Sequence, residues 1–171
     1  MQKKFQKWLF INAIIILLIM VIAGCAFKPP LTPNVENEDL NFARSQLIQF
    51  YDFLAQQKYD QAATLFGGDL DILRGYNPDL AADDFNMLFK RACEQNGFQC
   101  LSVKQIINEE IIATNQFVFT VEYQQADGNL FVRGACCGAS EEEMPPVSQF
   151  SVQVERVDGE YKVLSLPPYV P

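Results

Sequence analysis

The spacing of apolar residues changes character once along this chain, and that change restricts it to folds that mix helices with a sheet. Leu40, Ala43, Leu47, Phe50 or Tyr51, and Leu54 recur at helical spacing, the pattern of a helix with one buried stripe. Asn37 stands at a capping position, with Glu38 and Asp39 in the positive first turn. A shorter helix is expected from Tyr59 to Phe66, ended by Gly67-Gly68. After a loop through Gly75 and Asn77-Pro78, a third is expected over Asp79 to Gln95. Leu80, Phe85, Leu88, Phe89 and Ala92 form its stripe, and Asn96-Gly97 its stop. Beyond that point the period falls to two. Phe117, Phe119, Val121 and Tyr123 alternate with polar neighbours, apart from Val118 on the second face, and so do Phe150, Val152 and Val154. Flanking strands are expected at Leu101–Asn108, Leu130–Arg133 and Tyr161–Leu166, with hairpin turns at Asp127-Gly128 and Asp158-Gly159. The expected class is α+β: N-terminal helices packed on one face of a curved antiparallel sheet, as one domain over residues 37–171.

The first 24 residues read differently. Lys3, Lys4 and Lys7 precede an apolar run from Trp8 to Ala23 that only Asn12 interrupts. About 20 residues are needed to span a bilayer, and this run falls short. It ends in Val21-Ile22-Ala23-Gly24-Cys25. That ending, with the charged and apolar segments before it, resembles the lipobox of bacterial lipoproteins. The resemblance implies that Ile22, Ala23 and Gly24 are the signal-peptidase recognition residues. It also implies a thioether-linked diacylglyceryl group on Cys25 and cleavage between Gly24 and Cys25. The expected location is therefore the cell membrane or outer membrane, lipid-anchored on the extracytoplasmic face. Ala26, rather than Asp, after the cysteine is compatible with outer-membrane sorting. Residues 25–36 carry Pro29, Pro30 and Pro33, which favour an extended tether of about 3.1 Å per residue.

Composition removes whole classes of chemistry. The chain of 171 residues contains no histidine, so Ser-His-Asp and Cys-His nucleophiles and imidazole metal ligands are excluded. The leader carries three of the 13 basic residues and none of the 21 acidic ones, so its loss takes the net charge from −8 to −11. Such a balance argues against nucleic acid as a partner, because phosphate neutralisation needs clustered Lys and Arg.

Five cysteines become four once Cys25 is committed to lipid. Outside the cytoplasm an even remainder favours disulfides. Cys93 lies near the end of the third helix, and Cys100 follows the Gly97 turn. A bridge between them closes a small loop and joins helix to sheet. Cys100 and Cys136 fall at opposite strand ends of the expected meander, which leaves Cys93–Cys100 as the preferred pair. Cys136 and Cys137 sit in a small-residue loop, Gly134 to Ser140; a vicinal disulfide there would be strained and redox-labile, so a switch or a metal site is an alternative, while bridges elsewhere or a structural role are the preferred reading. No C-x-x-C is present, and no metal site or cofactor is expected. Glu141-Glu142-Glu143 reads as a solvated acidic loop. Asp69, Asp71, Asp79, Asp83 and Asp84 read as turn and cap residues.

The segments Phe50-Tyr51-Asp52-Phe53-Leu54 and Lys58-Tyr59-Asp60-Gln61-Ala62-Ala63 give a helix, a short spacer and a second helix. Asp158-Gly159-Glu160-Tyr161-Lys162-Val163 turns into a last strand. Together they resemble the nuclear transport factor 2-like superfamily of cone-shaped α+β domains, with cystatin-like domains as the nearest structural rival. The resemblance implies two uses of an apolar cone. One is noncatalytic binding of a small apolar ligand or an envelope protein partner. The other is isomerase- or cyclase-like catalysis by an acid–base residue inside the cone. Asp52, Asp60 and Glu122 all read as exposed faces or caps, so no catalytic residue is singled out. The binding domain is the expected function, with the enzyme and a purely structural envelope component as alternatives.

Overall fold

The computed structural model of the protein describes residues 35–171; the leader, the expected lipid-bearing cysteine and most of the tether lie outside the described residues. Within them the helices come first: α1 Val35–Ala55, α2 Tyr59–Leu65, α3 Asp71–Tyr76 and α4 Phe85–Glu94. Strands β1 Ser102–Ala113, β2 Gln116–Gln124, β3 Phe150–Val157 and β4 Glu160–Val163 follow as one antiparallel meander in that order. The class is α+β, and residues 35–171 form one compact unit.

The core lies between α1 and the sheet. Ala43, Leu47, Phe50, Tyr51 and Leu54 of α1 are all buried. They meet Phe117, Phe119, Val121 and Tyr123, which alternation directs to one face of β2, and Val152 and Val154 of β3. Both Phe50 and Tyr51 are inside because α1 is covered on two sides, by the sheet and by α2 with α4. Phe50 packs edge-on to Phe89 of α4 at 5.8 Å and stacks on Phe66 at 5.7 Å, while Tyr51 lies 4.9 Å from Tyr123. Such ring pairs contribute about 0.5–1.5 kcal/mol each beyond their burial.

Several elements depart from the spacing in the sequence. Asn37 lies inside α1, which begins at Val35. The third expected helix is replaced by turns and a later start. Asp84 caps α4 by accepting from the Met87 backbone N–H at 3.1 Å, so that helix begins at Phe85 rather than Asp79. The turns before it are held by an ion pair from Arg91 to Asp79 (2.7 Å) and by Arg74 donating to the Ala82 carbonyl (3.1 Å). Short helix α3 occupies part of the expected loop. Leu130–Arg133 is not a strand of the sheet; it makes only isolated bridges, Gln124 to Leu130 and Arg133 to Val147. Its neighbours, rich in Gly, Pro and Glu, provide no second ladder to extend.

Strand β1 runs past Asn108 to Ala113 because β2 continues to pair with it as far as Gln116. The register slips three times, between Val103 and Gln105, Ile106 and Asn108, and Ile111 and Ala113. Each slip leaves one β1 residue unmatched. The β3–β4 hairpin turns through Asp158 (φ +53°) and Gly159 (φ +89°), the left-handed pair that a two-residue hairpin favours.

A disulfide joins Cys93 on α4 to Cys100 just before β1, with Cα atoms 5.4 Å apart. The chain between them is clasped by the segment after β4. Val170 donates to the Gly97 carbonyl (3.0 Å), and Gln99 donates to that of Pro168 (2.7 Å). Gly97 has φ +82°, and a Cβ there would lie 2.3 Å from the Val170 carbonyl oxygen. Only glycine meets both conditions.

Candidate functional site

The interior between helices and sheet is occupied by the rings of Phe50, Tyr51, Phe89, Phe119 and Tyr123, all fully buried. Tyr51 donates to the Ser165 carbonyl at 3.4 Å, and no buried side-chain polar atom among the described residues lacks a partner. Burial drives the Tyr51 and Tyr123 hydroxyls far above the ordinary phenol range. They are neutral structural groups at any ordinary pH.

Glu122 is the one carboxylate that departs from its expected exposed position. It is 8 % exposed and sits on the β2 face turned away from the helices, between the core positions Val121 and Tyr123. Gln105 of β1 donates to it at 2.7 Å, and Gln149 at 3.5 Å. Two amides that cap a carboxylate on the far side of the sheet form a buried polar contact, separate from the aromatic interior. Asp60 is exposed in the first turn of α2, and Asp52 is half-buried on α1.

A cleft of about 620 Å³ opens at the surface instead. One wall is the first half of α1, with Glu38, Asp39, Phe42 and Gln46. The other is the β3–β4 hairpin, with Arg156 and Gly159 to Lys162, and Thr64 and Leu65 of α2 close one end. Phe42 is 60 % exposed, off the buried stripe of its helix. Opposite it, the Arg156 guanidinium lies 5.8 Å over the Tyr161 ring and donates to the Gly159 carbonyl at 3.1 Å. Tyr161 donates to Asn115 Oδ1 at 3.2 Å; burial first, then the Asp39 carboxylate, raises its phenol. Lys162 donates to the Thr64 carbonyl (2.8 Å) and pairs with Glu160 (2.5 Å), which holds that carboxyl below its usual range. Glu38 and Asp39 on one wall, Arg156 and the Lys162–Glu160 pair on the other, and an aromatic ring at each suit an extended peptide of mixed character better than a compact apolar molecule.

No protein-family model, curated protein or solved structure matches the chain.

Among the residues singled out from the sequence, Cys93 and Cys100 come together in the bridge. Cys136 and Cys137 stand as two thiols with their Sγ atoms 3.0 Å apart. Ile22, Ala23, Gly24 and Cys25 lie outside the described residues. Glu141 to Glu143 are exposed, as a solvated acidic run would be. The cleft residues escaped sequence reading altogether. One signal was present: Phe42 is a large aromatic on the polar side of an otherwise regular amphipathic pattern.

Proposed function

We propose that the chain is an extracytoplasmic domain, held at the membrane by lipid on Cys25, that docks an envelope protein partner in the cleft beside α1 and performs no catalysis. We read its architecture as a nuclear transport factor 2-like cone whose interior has been filled by its own side chains. The observation that carries the binding mode is that filling: with Phe50, Tyr51, Phe89 and Tyr123 at the centre, a ligand is received at the open cleft. The lipobox residues Ile22 to Cys25 carry the location. A bridge at Cys93–Cys100 supports it, because disulfides persist in oxidising compartments. Among the described residues no helix is long and apolar enough to cross a membrane.

Two measurements test it. A Cys25→Ala chain should leave the membrane fraction and lose processing that is sensitive to an inhibitor of the lipoprotein signal peptidase; unchanged membrane association defeats the anchor. A photo-crosslinking residue at Phe42 should give a discrete protein adduct in intact cells that the same residue at Ile72, outside the cleft, does not. Absence of an adduct at Phe42, or identical adducts at both positions, defeats the docking site.

A further inference from the structure

Between β2 and β3 the chain leaves the sheet for a loop that no part of the proposed function uses. Its base is closed by reciprocal backbone hydrogen bonds between Arg133 and Val147, at 2.8 and 2.9 Å. Inside it, Ser140 and Glu143 fasten each other. The Glu143 carboxylate accepts from the Ser140 N–H at 2.9 Å and from its hydroxyl at 3.2 Å, and the Glu143 N–H donates to Ser140 Oγ at 3.3 Å. Met144 N–H donates to the Ser140 carbonyl at 2.9 Å. This turn brings the Met144 side chain back over the start of the loop. There Cys137 (φ +61°) and Gly138 (φ +88°) take left-handed conformations.

Three sulfur atoms converge as a result. Cys137 S–H donates to Cys136 Sγ at 3.0 Å, and Cys136 S–H donates to Met144 Sδ at 3.8 Å. Cys136 and Met144 are half-buried and Cys137 is exposed, so the cluster is held in place and open on one side. Both thiol protons lie between sulfurs, where a cation would replace them.

We propose that Cys136, Cys137 and Met144 form a binding site for a soft monovalent cation, Cu(I). Binding is a proton exchange with no change of oxidation state. Each thiol gives up its proton to solvent, the two thiolates and the thioether each donate a lone pair to the metal, and the site carries one negative charge. A trigonal cation with metal–sulfur bonds of about 2.3 Å needs sulfurs about 4 Å apart. The Cys136–Met144 separation of 3.8 Å already meets this, and the Cys136–Cys137 pair at 3.0 Å must open by about 1 Å on binding, on the side where Cys137 is exposed. The donor set selects the metal. Thioether and thiolate ligands suit Cu(I), whereas zinc favours four ligands and calcium and magnesium require oxygen. The chain has no histidine, and among the described residues no three Cys, Asp or Glu side chains gather into a site for those ions. The sequence alone showed no motif because the third ligand is a methionine eight residues away from Cys136, which the Ser140–Glu143 turn brings back.

The inference is independent of the anchor and the cleft. The full chain in detergent, with its Cys93–Cys100 bridge intact, would be titrated anaerobically against Cu(I) held by a chromophoric chelator. One Cu(I) per chain should move from the chelator to the protein, with an ultraviolet thiolate-to-copper band. The Cys136→Ser/Cys137→Ser double variant should lose both signals; Cys25 is present in both chains, so the difference belongs to the pair. Met144→Leu should weaken binding about tenfold or more, with the far-ultraviolet circular dichroism of every variant unchanged. Failure to take copper, copper retained by the double variant, or an unchanged affinity in Met144→Leu overturns the site. So does thiol titration that finds Cys136 and Cys137 joined as a disulfide in the protein as isolated from cells.

Discussion

Arg44 on α1 grips Glu109 on β1 with both prongs of its guanidinium, Nε and Nη2 lying 2.5 and 2.6 Å from the two carboxylate oxygens. This is the one ion pair between helix layer and sheet among the described residues. It lies at the sheet edge, with side chains 34 % and 23 % exposed. Two-pronged geometry raises its contribution above that of an ordinary surface pair, while solvent keeps it small. Arg44→Met should lower unfolding free energy by about 1 kcal/mol at low salt, with the loss shrinking as salt is added. Equal losses at low and high salt in urea titrations would mean that the arginine acts through packing alone.

Tyr51, Tyr59 and Tyr123 should make the fold sensitive to alkali. Burial is the first cause of the raised phenol in each, and Tyr59, which also hydrogen-bonds Glu94 at 3.2 Å, is pushed up to about 12. A folded-state value above the unfolded one means that the native state keeps the proton longer. The stability these groups contribute is therefore intact below the ordinary phenol value of about 10 and falls as pH rises beyond it. Urea midpoints should be level from neutral pH to about 9.5 and drop steeply between 10 and 12. Absorbance of the buried phenolates should appear together with unfolding; their appearance in the native protein would contradict the burial argument.

The Cys93–Cys100 bridge closes a loop with a sequence separation of seven residues, and so restricts the unfolded chain only modestly. The Cys93→Ala/Cys100→Ala variant should lose about 2 kcal/mol. Reductant should lower the urea midpoint of the parent chain by a similar amount and leave that of the variant unmoved. A parent chain indifferent to reductant would show that the bridge contributes nothing measurable.

Gly97→Ala should be more damaging than a helix-surface glycine change, by about 1 kcal/mol or more, since it combines a left-handed conformation with a clash against backbone. Gly75→Ala, with open space around its site, is the control. Circular dichroism melts should separate the two, and coincident melts would refute the clasp at Val170.

Elements whose own residues carry the pattern were readable in advance. The buried stripe of α1 and the alternation of β2 and β3 fall where the spacing puts them, because the period of their own apolar residues decides which positions reach the core. Misreadings occurred where a distant partner decides the outcome. The Asp79–Asp83 segment has helical spacing at Leu80, yet Asp84 offers the better cap and Arg91 draws Asp79 into a turn. Glu122 looks like an outward residue of β2, and it does point away from the core, but Gln105 and Gln149 come over it. The cleft at Phe42 depends on a hairpin more than a hundred residues further along, a relationship that local spacing does not encode.

The three register slips of β1 bear on how this molecule tolerates its own company. β1 is an edge of the sheet, and Ile107 and Ile112, two of its unmatched residues, are exposed. A straight edge with such side chains would recruit the same strand of a neighbouring copy. The slips interrupt the row of free N–H and C=O groups every few residues, so an incoming strand finds no continuous ladder to join. The apolar edge can thus persist at high local density without seeding a fibril.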